Sequence, residues 1–283
     1  MADRSDDRTS FSGVMKASWT EESLDGGACR VPVRLYRGDA LAKAPPLVMH
    51  LHGGSFLGGS LATGQAIATL LAEAGAVVVS ADYSCANEHP FPRALQLSYE
   101  VLGRVCGQRA KWADKKSALF VAGEEAGGNL AAGLALMCRD QHFGALQGQI
   151  LLSPMLDPFM ATGSFRKAEA KPTGCQWSDG WNRYLGFGAN ACHPYAAPAY
   201  CARLAGVAPA LIVTAEDDPM RDESLKYARR LNDAGVIVRE SVLSIPTGWP
   251  ATYSRCPAVQ PGWGETVRSQ FVEFFQETGA LPH

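Results

Sequence analysis

The sequence predicts an α/β protein: a mainly parallel sheet with helices on both faces. Two observations predict it. Short apolar runs of strand length alternate with helix-length segments, at the spacing of β-α-β crossovers. One of these units, residues 117–137, passes from an apolar strand through a glycine-flanked turn into an Ala/Leu-rich segment without proline. Ligands of such sheets bind beyond the carboxyl ends of the strands, where this turn falls.

Residues 1–28 are polar with a few apolar anchors (Phe11, Val14, Met15, Trp19), which alone could be a frayed arm. Residues 31–36 alternate apolar and polar as a half-buried strand does, and residues 46–51 form a solid apolar run suited to a strand buried on both faces. A helix is expected over 65–74, stopped by Gly75, then a buried strand over 76–81 and a helix over 93–106. The glycine-flanked unit follows, and then a strand over 149–152. Residues 154–195 break the rhythm with Pro, Gly and four large aromatics, Trp177, Trp181, Tyr184 and Phe187, in helical reach of one another. They read as an insertion over the strand ends, its aromatics either holding it to the body or lining an apolar pocket. The pattern resumes with strands over 210–214 and 237–243 and helices over 222–232 and 265–276. An irregular stretch, 250–264, lies before the last helix.

The turn reads Gly123-Glu124-Glu125-Ala126-Gly127-Gly128-Asn129-Leu130. Small residues two before and two after the apex permit a turn this sharp, and both are Gly here. The apex, Glu125, stands at a helix N-terminus, where backbone N–H groups face any anion. The stretch resembles Gly-Asp-Ser-Ala-Gly-Gly-Asn-Leu of the hormone-sensitive-lipase-like esterases, a branch of the α/β-hydrolase superfamily. His52-Gly53-Gly54-Ser55-Phe56 resembles that branch's His-Gly-Gly-Gly loop. Asp82-Tyr83 with Glu88-His89-Pro90-Phe91-Pro92, and Asp218-Pro219-Met220-Arg221-Asp222-Glu223, resemble two further motifs, in the family's order.

The resemblance implies an α/β-hydrolase core over 29–153 and 196–283, with a small cap from 1–28 and 154–195. It also implies a nucleophile elbow at Glu125, a triad acid at Asp218, and a base position at Thr247 in Ile245-Pro246-Thr247-Gly248-Trp249. Thus Glu stands where the family has Ser, and Thr where it has His. The N–H groups of Gly53, Gly54 and Ala126 are expected to form an oxyanion hole, which the Glu125 carboxylate either leaves open or fills. His52, Ser55, Phe56, Trp177, Trp181, Tyr184 and Trp249 are the expected substrate-binding residues.

Without Ser and His the acyl-enzyme route is closed. Of the other histidines, His50 is expected in the sheet packing and His89 in a structural turn, while His193 is the one available recruit. Glu124 reads as structural. With Glu125 and Asp218 in one small space beside Thr247, one carboxylate could serve as acid and the other as base. The reading is therefore a non-hydrolytic lyase, isomerase or cyclase acting on a small, mostly apolar carbonyl compound. A pseudoenzyme binding a carbonyl ligand or protein partner is the alternative, and an unorthodox hydrolase the second.

Composition narrows the classes further. A net charge of −2 without a basic cluster gives no reason for nucleic acid or a membrane surface. Apolar runs are too short to span a bilayer, and the polar N-terminus carries no visible signal peptide. The eight cysteines have no metal-type spacing and are expected as reduced thiols of a cytoplasmic protein. No metal and no cofactor are expected, and a homodimer is left open.

Overall fold

A computed structural model describes residues 17–27, 29–86, 89–169, 174–186, 190–252 and 262–282. In chain order its elements are β1 (Ala17–Asp25), β2 (Arg30–Gly38), β3 (Leu47–Leu51), α1 (Gln65–Glu73), β4 (Val77–Ala81), α2 (Arg93–Gly107), α3 (Arg109–Trp112), β5 (Leu119–Glu124), α4 (Glu125–Asp140), β6 (Leu146–Leu152), α5 (Gly163–Glu169), α6 (Gly174–Leu185), β7 (Ala210–Ala215), α7 (Arg221–Asp233), β8 (Val238–Leu243) and α8 (Gly264–Glu277). The strands make one sheet in the order β1-β2-β4-β3-β5-β6-β7-β8. From β4 to β8 every pairing is parallel, whereas β1 and β2 run antiparallel at one edge.

The apolar runs become the central strands because both sheet faces are covered. Every residue of β3, β4, β5 and β7 is buried. On one face, Ile67 and Leu71 of α1 pack with Val267, Phe271 and Phe275 of α8. On the other, Leu95 and Leu102 of α2, Leu130 and Leu134 of α4 and Leu231 of α7 form the larger core. This is the α/β-hydrolase fold that the strand–helix rhythm and the motifs predict.

Two expectations need correction. Residues 17–25 of the expected cap segment 1–28 form β1, paired along its whole length with β2, and so belong to the sheet. Its mixed sequence hides it, because an edge strand with most side chains exposed carries no alternating apolar signal. Second, Cys29 and Cys85 are joined in a disulfide, where reduced thiols were expected. The β1–β2 turn and a 3₁₀ turn at Ser84–Ala86 meet, although 56 residues separate the two cysteines in sequence. Residues 1–16, Glu88, Phe187 and 253–261 of the irregular stretch lie outside the described residues. Among the described residues, no helix is long and apolar enough to cross a membrane.

Candidate active site

Strand β5 runs into helix α4 with no residue between them: Glu124 ends the strand and Glu125 begins the helix. Glu125 takes φ +53°, an uncommon backbone state for a residue with a side chain. The glycines make the turn possible. A Cβ at Gly123 would lie 2.3 Å from the Gly127 carbonyl oxygen, and one at Gly127 would lie 2.0 Å from that of Leu51. The apex side chain is thereby presented at the carboxyl end of the sheet.

The loop from His52 to Phe56 folds over this apex and is held by two neighbouring carboxylates. Glu124 is fully buried. It accepts from His50 Nε2 at 2.7 Å and from the Gly53 N–H at 3.0 Å, while His50 Nδ1 pairs with the Ser80 hydroxyl at 2.9 Å. Glu125 holds the next two residues. Its Oε2 accepts from the N–H groups of Gly54 at 2.7 Å and Ser55 at 3.2 Å. Its Oε1 accepts from the Ser55 hydroxyl at 2.7 Å and the Trp177 indole N–H at 2.9 Å. Four donors converging on one carboxylate are the arrangement that stabilises an oxyanion, and here the protein's own side chain occupies it.

The expected donor set shifts accordingly. Gly53 is spent on Glu124, so the backbone donors facing the apex carboxylate are Gly54 and Ser55. Ala126 is buried at the start of α4 and gives that carboxylate no hydrogen bond among the described residues. Ser55 is the donor that sequence reasoning placed only as a substrate contact. Its position in the family loop was the available signal, since each residue there offers an N–H.

Trp177 reaches Glu125 because α6 packs backbone to backbone on the loop that carries Ser55. A Cβ at Gly180 would sit 1.8 Å from the Ser55 carbonyl oxygen. Residue 177, one turn earlier on the same face, then overhangs the apex. Trp181 and Tyr184 act differently. Phe56 stacks on Tyr184 with centroids 4.0 Å apart and tilts against Trp181 at 5.4 Å, forming a buried aromatic cluster that fastens α6 to the loop.

A cavity of about 690 Å³ opens above the apex, lined by Glu125, Trp177, Asp217 and Trp249 together with the Gly53, Gly54 and Gly58 backbone. Phe56, Trp181 and Tyr184 do not line it, nor does His52. The His52 ring is buried, stacks on Tyr83 at 4.5 Å, and pairs with the Gly53 carbonyl at 2.8 Å and with Asp82 at 3.4 Å. Burial works to raise the Asp82 pKa, but the bonds from His52 and Ser84 prevail and hold it at about 2. His193 packs on Phe91 at 4.7 Å and is not among the lining residues.

The acid side of the site also differs from expectation. Asp218 is buried, and its oxygens accept from the Thr214 hydroxyl at 2.5 Å and the Met220 N–H at 2.9 Å. Burial pushes its pKa up to about 6, with the hydrogen bonds opposing. Thr247 bonds Asp217 instead, through its hydroxyl at 2.9 Å and its N–H at 2.9 Å, and the Gly248 N–H adds a third bond at 2.9 Å. Asp217, which sequence reasoning passed over, thus faces the cavity, while Asp218 does not line it. Of the expected trio, Glu125 alone lines the cavity. Among the described residues, no cluster of three or more His, Cys, Asp or Glu side chains could hold a metal.

A family model described as alpha/beta hydrolase fold matches residues 48–244. The chain is 34% identical over 221 residues to carboxylesterase NlhH of Mycobacterium tuberculosis, covering 76% of this chain and 69% of that protein. It is 30% identical over 210 residues to an arylesterase of Saccharolobus solfataricus, covering 73% and 68%. Among solved structures, a fungal esterase from Rhizomucor miehei superposes with a TM-score of 0.83 at 26% identity, covering 96% of this chain and 86% of that one. Esterase LipW of Mycobacterium marinum gives 0.80 at 33% identity, covering 93% and 82%.

These likenesses overturn the expected lyase, isomerase or cyclase: the relatives are named as esterases, and none points to a non-hydrolytic reaction. The geometry agrees with the correction. The acid–base pair needed Glu125 and Asp218 in one space, and the second carboxylate lining the cavity is Asp217.

Proposed function

The chain belongs to the alpha/beta hydrolase fold family whose model it matches, and on that premise we propose that its cavity is an esterase site for carboxylic esters, closed at rest by its own apex carboxylate. The observation that carries this reading is the convergence of Gly54, Ser55 and Trp177 donors on Glu125. An oxyanion receptor kept in order by an internal carboxylate suits an ester carbonyl, which is held by the same donors when it displaces that group.

Glu replaces the nucleophilic Ser and Thr the general base, so hydrolysis runs without an acyl-enzyme. The entering carbonyl oxygen takes the Gly54 and Ser55 N–H groups. The displaced Glu125 carboxylate, still on the elbow, removes a proton from a water that adds to the carbonyl carbon. The tetrahedral oxyanion collapses, the bond to the alcohol oxygen breaks, and Glu125 returns its proton to the leaving alkoxide. Ser55 is no substitute nucleophile, because its hydroxyl is fully buried, bonded to Glu125 and absent from the cavity lining.

The test is steady-state and pre-steady-state hydrolysis of p-nitrophenyl acetate with a serine-directed organophosphate. Expected are slow turnover without a burst, rates unaffected by the organophosphate, and no adduct at residue 125 by mass spectrometry. Turnover abolished by the reagent would place the chemistry on a serine elsewhere. Absence of any catalysed hydrolysis would remove the esterase reading.

A further inference from the structure

The charge around the cavity is one-sided. Glu125 and Asp217 are its charged lining residues, and no Lys, Arg or His lines it among the described residues. Both carboxylates are satisfied by neutral donors: backbone N–H groups, hydroxyls and, for Glu125, an indole. Such bonds spread the negative charge without cancelling it. A cleft lined by one sign of charge focuses its field on whatever enters. Two indoles, Trp177 and Trp249, line the same space, and indole is the ring that best attracts a cation.

Displacement of Glu125 sharpens the requirement. When an ester carbonyl takes these donors, this carboxylate gives up its bonds on the cavity wall. A charge so exposed needs a new partner. Among the described residues the lining offers no cation: Asp217 carries the same sign, and the bonds from Gly248 and Thr247 outweigh burial and keep its pKa low. Beyond the water it deprotonates, a counter-charge for this carboxylate has to arrive with the substrate.

We propose that the ester this cavity selects carries an ammonium group, which neutralises the displaced Glu125 and faces Asp217 and the two indoles. The inference rests on the ester-site reading above and adds the substrate's charge. It assigns Asp217, a residue with no part in the hydrolytic steps, to substrate selection.

The experiment is calorimetric titration of the whole chain with two esters of one shape, the acetate of choline and its uncharged carbon analogue 3,3-dimethylbutyl acetate. The cationic ester is expected to bind about tenfold or more tightly, a preference of the size that one well-placed charge pair gives. The preference should shrink with added salt and in Asp217→Asn. Gln176→Lys, which puts a cation on the cavity wall, should reverse it. Equal binding of both esters, or a preference insensitive to salt and to both substitutions, would overturn the inference and leave the ester site standing. Binding of neither ester would overturn both.

Discussion

Replacing Glu125 by Ser together with Thr247 by His is expected to raise hydrolysis of short-chain aryl esters by about 10²–10⁴-fold, the usual worth of a positioned base acting on a nucleophile. The elbow already holds the apex at φ +53°, and Ser is small enough to leave the Gly54 and Ser55 N–H groups to the substrate. The substitution thus supplies a nucleophile and opens the oxyanion site in one step. Residue 247 adjoins the cavity through its neighbours Gly248 and Trp249, and its side chain already bonds Asp217. Asp217 is therefore the carboxylate that orients the new imidazole, and Asp217→Asn in this background should cost more than Asp218→Asn. Burst kinetics and an organophosphate adduct at residue 125 would accompany the gain. A folded double variant without it would mean that the apex and residue 247 do not face the same carbonyl.

The second large effect is a loss. Glu125→Gln in the unaltered chain should lower kcat on p-nitrophenyl acetate by about 10²–10⁴-fold, because the amide cannot take a proton from water. The shape is kept but the bonding is not. Ser55 Oγ and the Trp177 indole both donate to Oε1, so an amide NH2 placed there opposes the indole N–H, which can only donate. A neutral amide also holds the Gly54 and Ser55 N–H groups less tightly than a carboxylate does. The ester carbonyl then displaces it more easily, so KM should fall along with kcat. Unchanged kcat would end the role of Glu125 as base. A fall in kcat with a higher KM would mean that the side chain serves binding and not proton transfer.

The fold was legible because its signals are local. Solid apolar runs mark strands buried on both faces, and the elbow announces itself through Gly123 and Gly127, positions where the turn cannot admit a Cβ. What sequence reasoning missed depends on which of two adjacent residues turns inward. Gly53 and Gly54 are alike in sequence, yet the Glu124 carboxylate takes the first and leaves Gly54 and Ser55 to Glu125. Asp217 and Asp218 are likewise equal on paper. Asp218 turns to Thr214 and the α7 N-terminus, and this leaves its neighbour to meet Thr247. The α6 aromatics divide in the same way: one helical face sends Trp177 to the apex, while Trp181 and Tyr184 close on Phe56. The Cys29–Cys85 bond joins two turns that only the folded sheet edge brings together.

If the donors around Glu125 form an oxyanion site, that site is able to hold any small carboxylate once the Glu125 side chain is gone. Calorimetric titration of Glu125→Ala with acetate tests it most directly. Removing the side chain frees the Gly54 and Ser55 N–H groups, the Ser55 hydroxyl and the Trp177 indole, which should then bind one acetate saturably and exothermically. The unaltered chain should take up none under the same conditions. Equal acetate binding by both proteins, or none by a folded Glu125→Ala, would contradict the account.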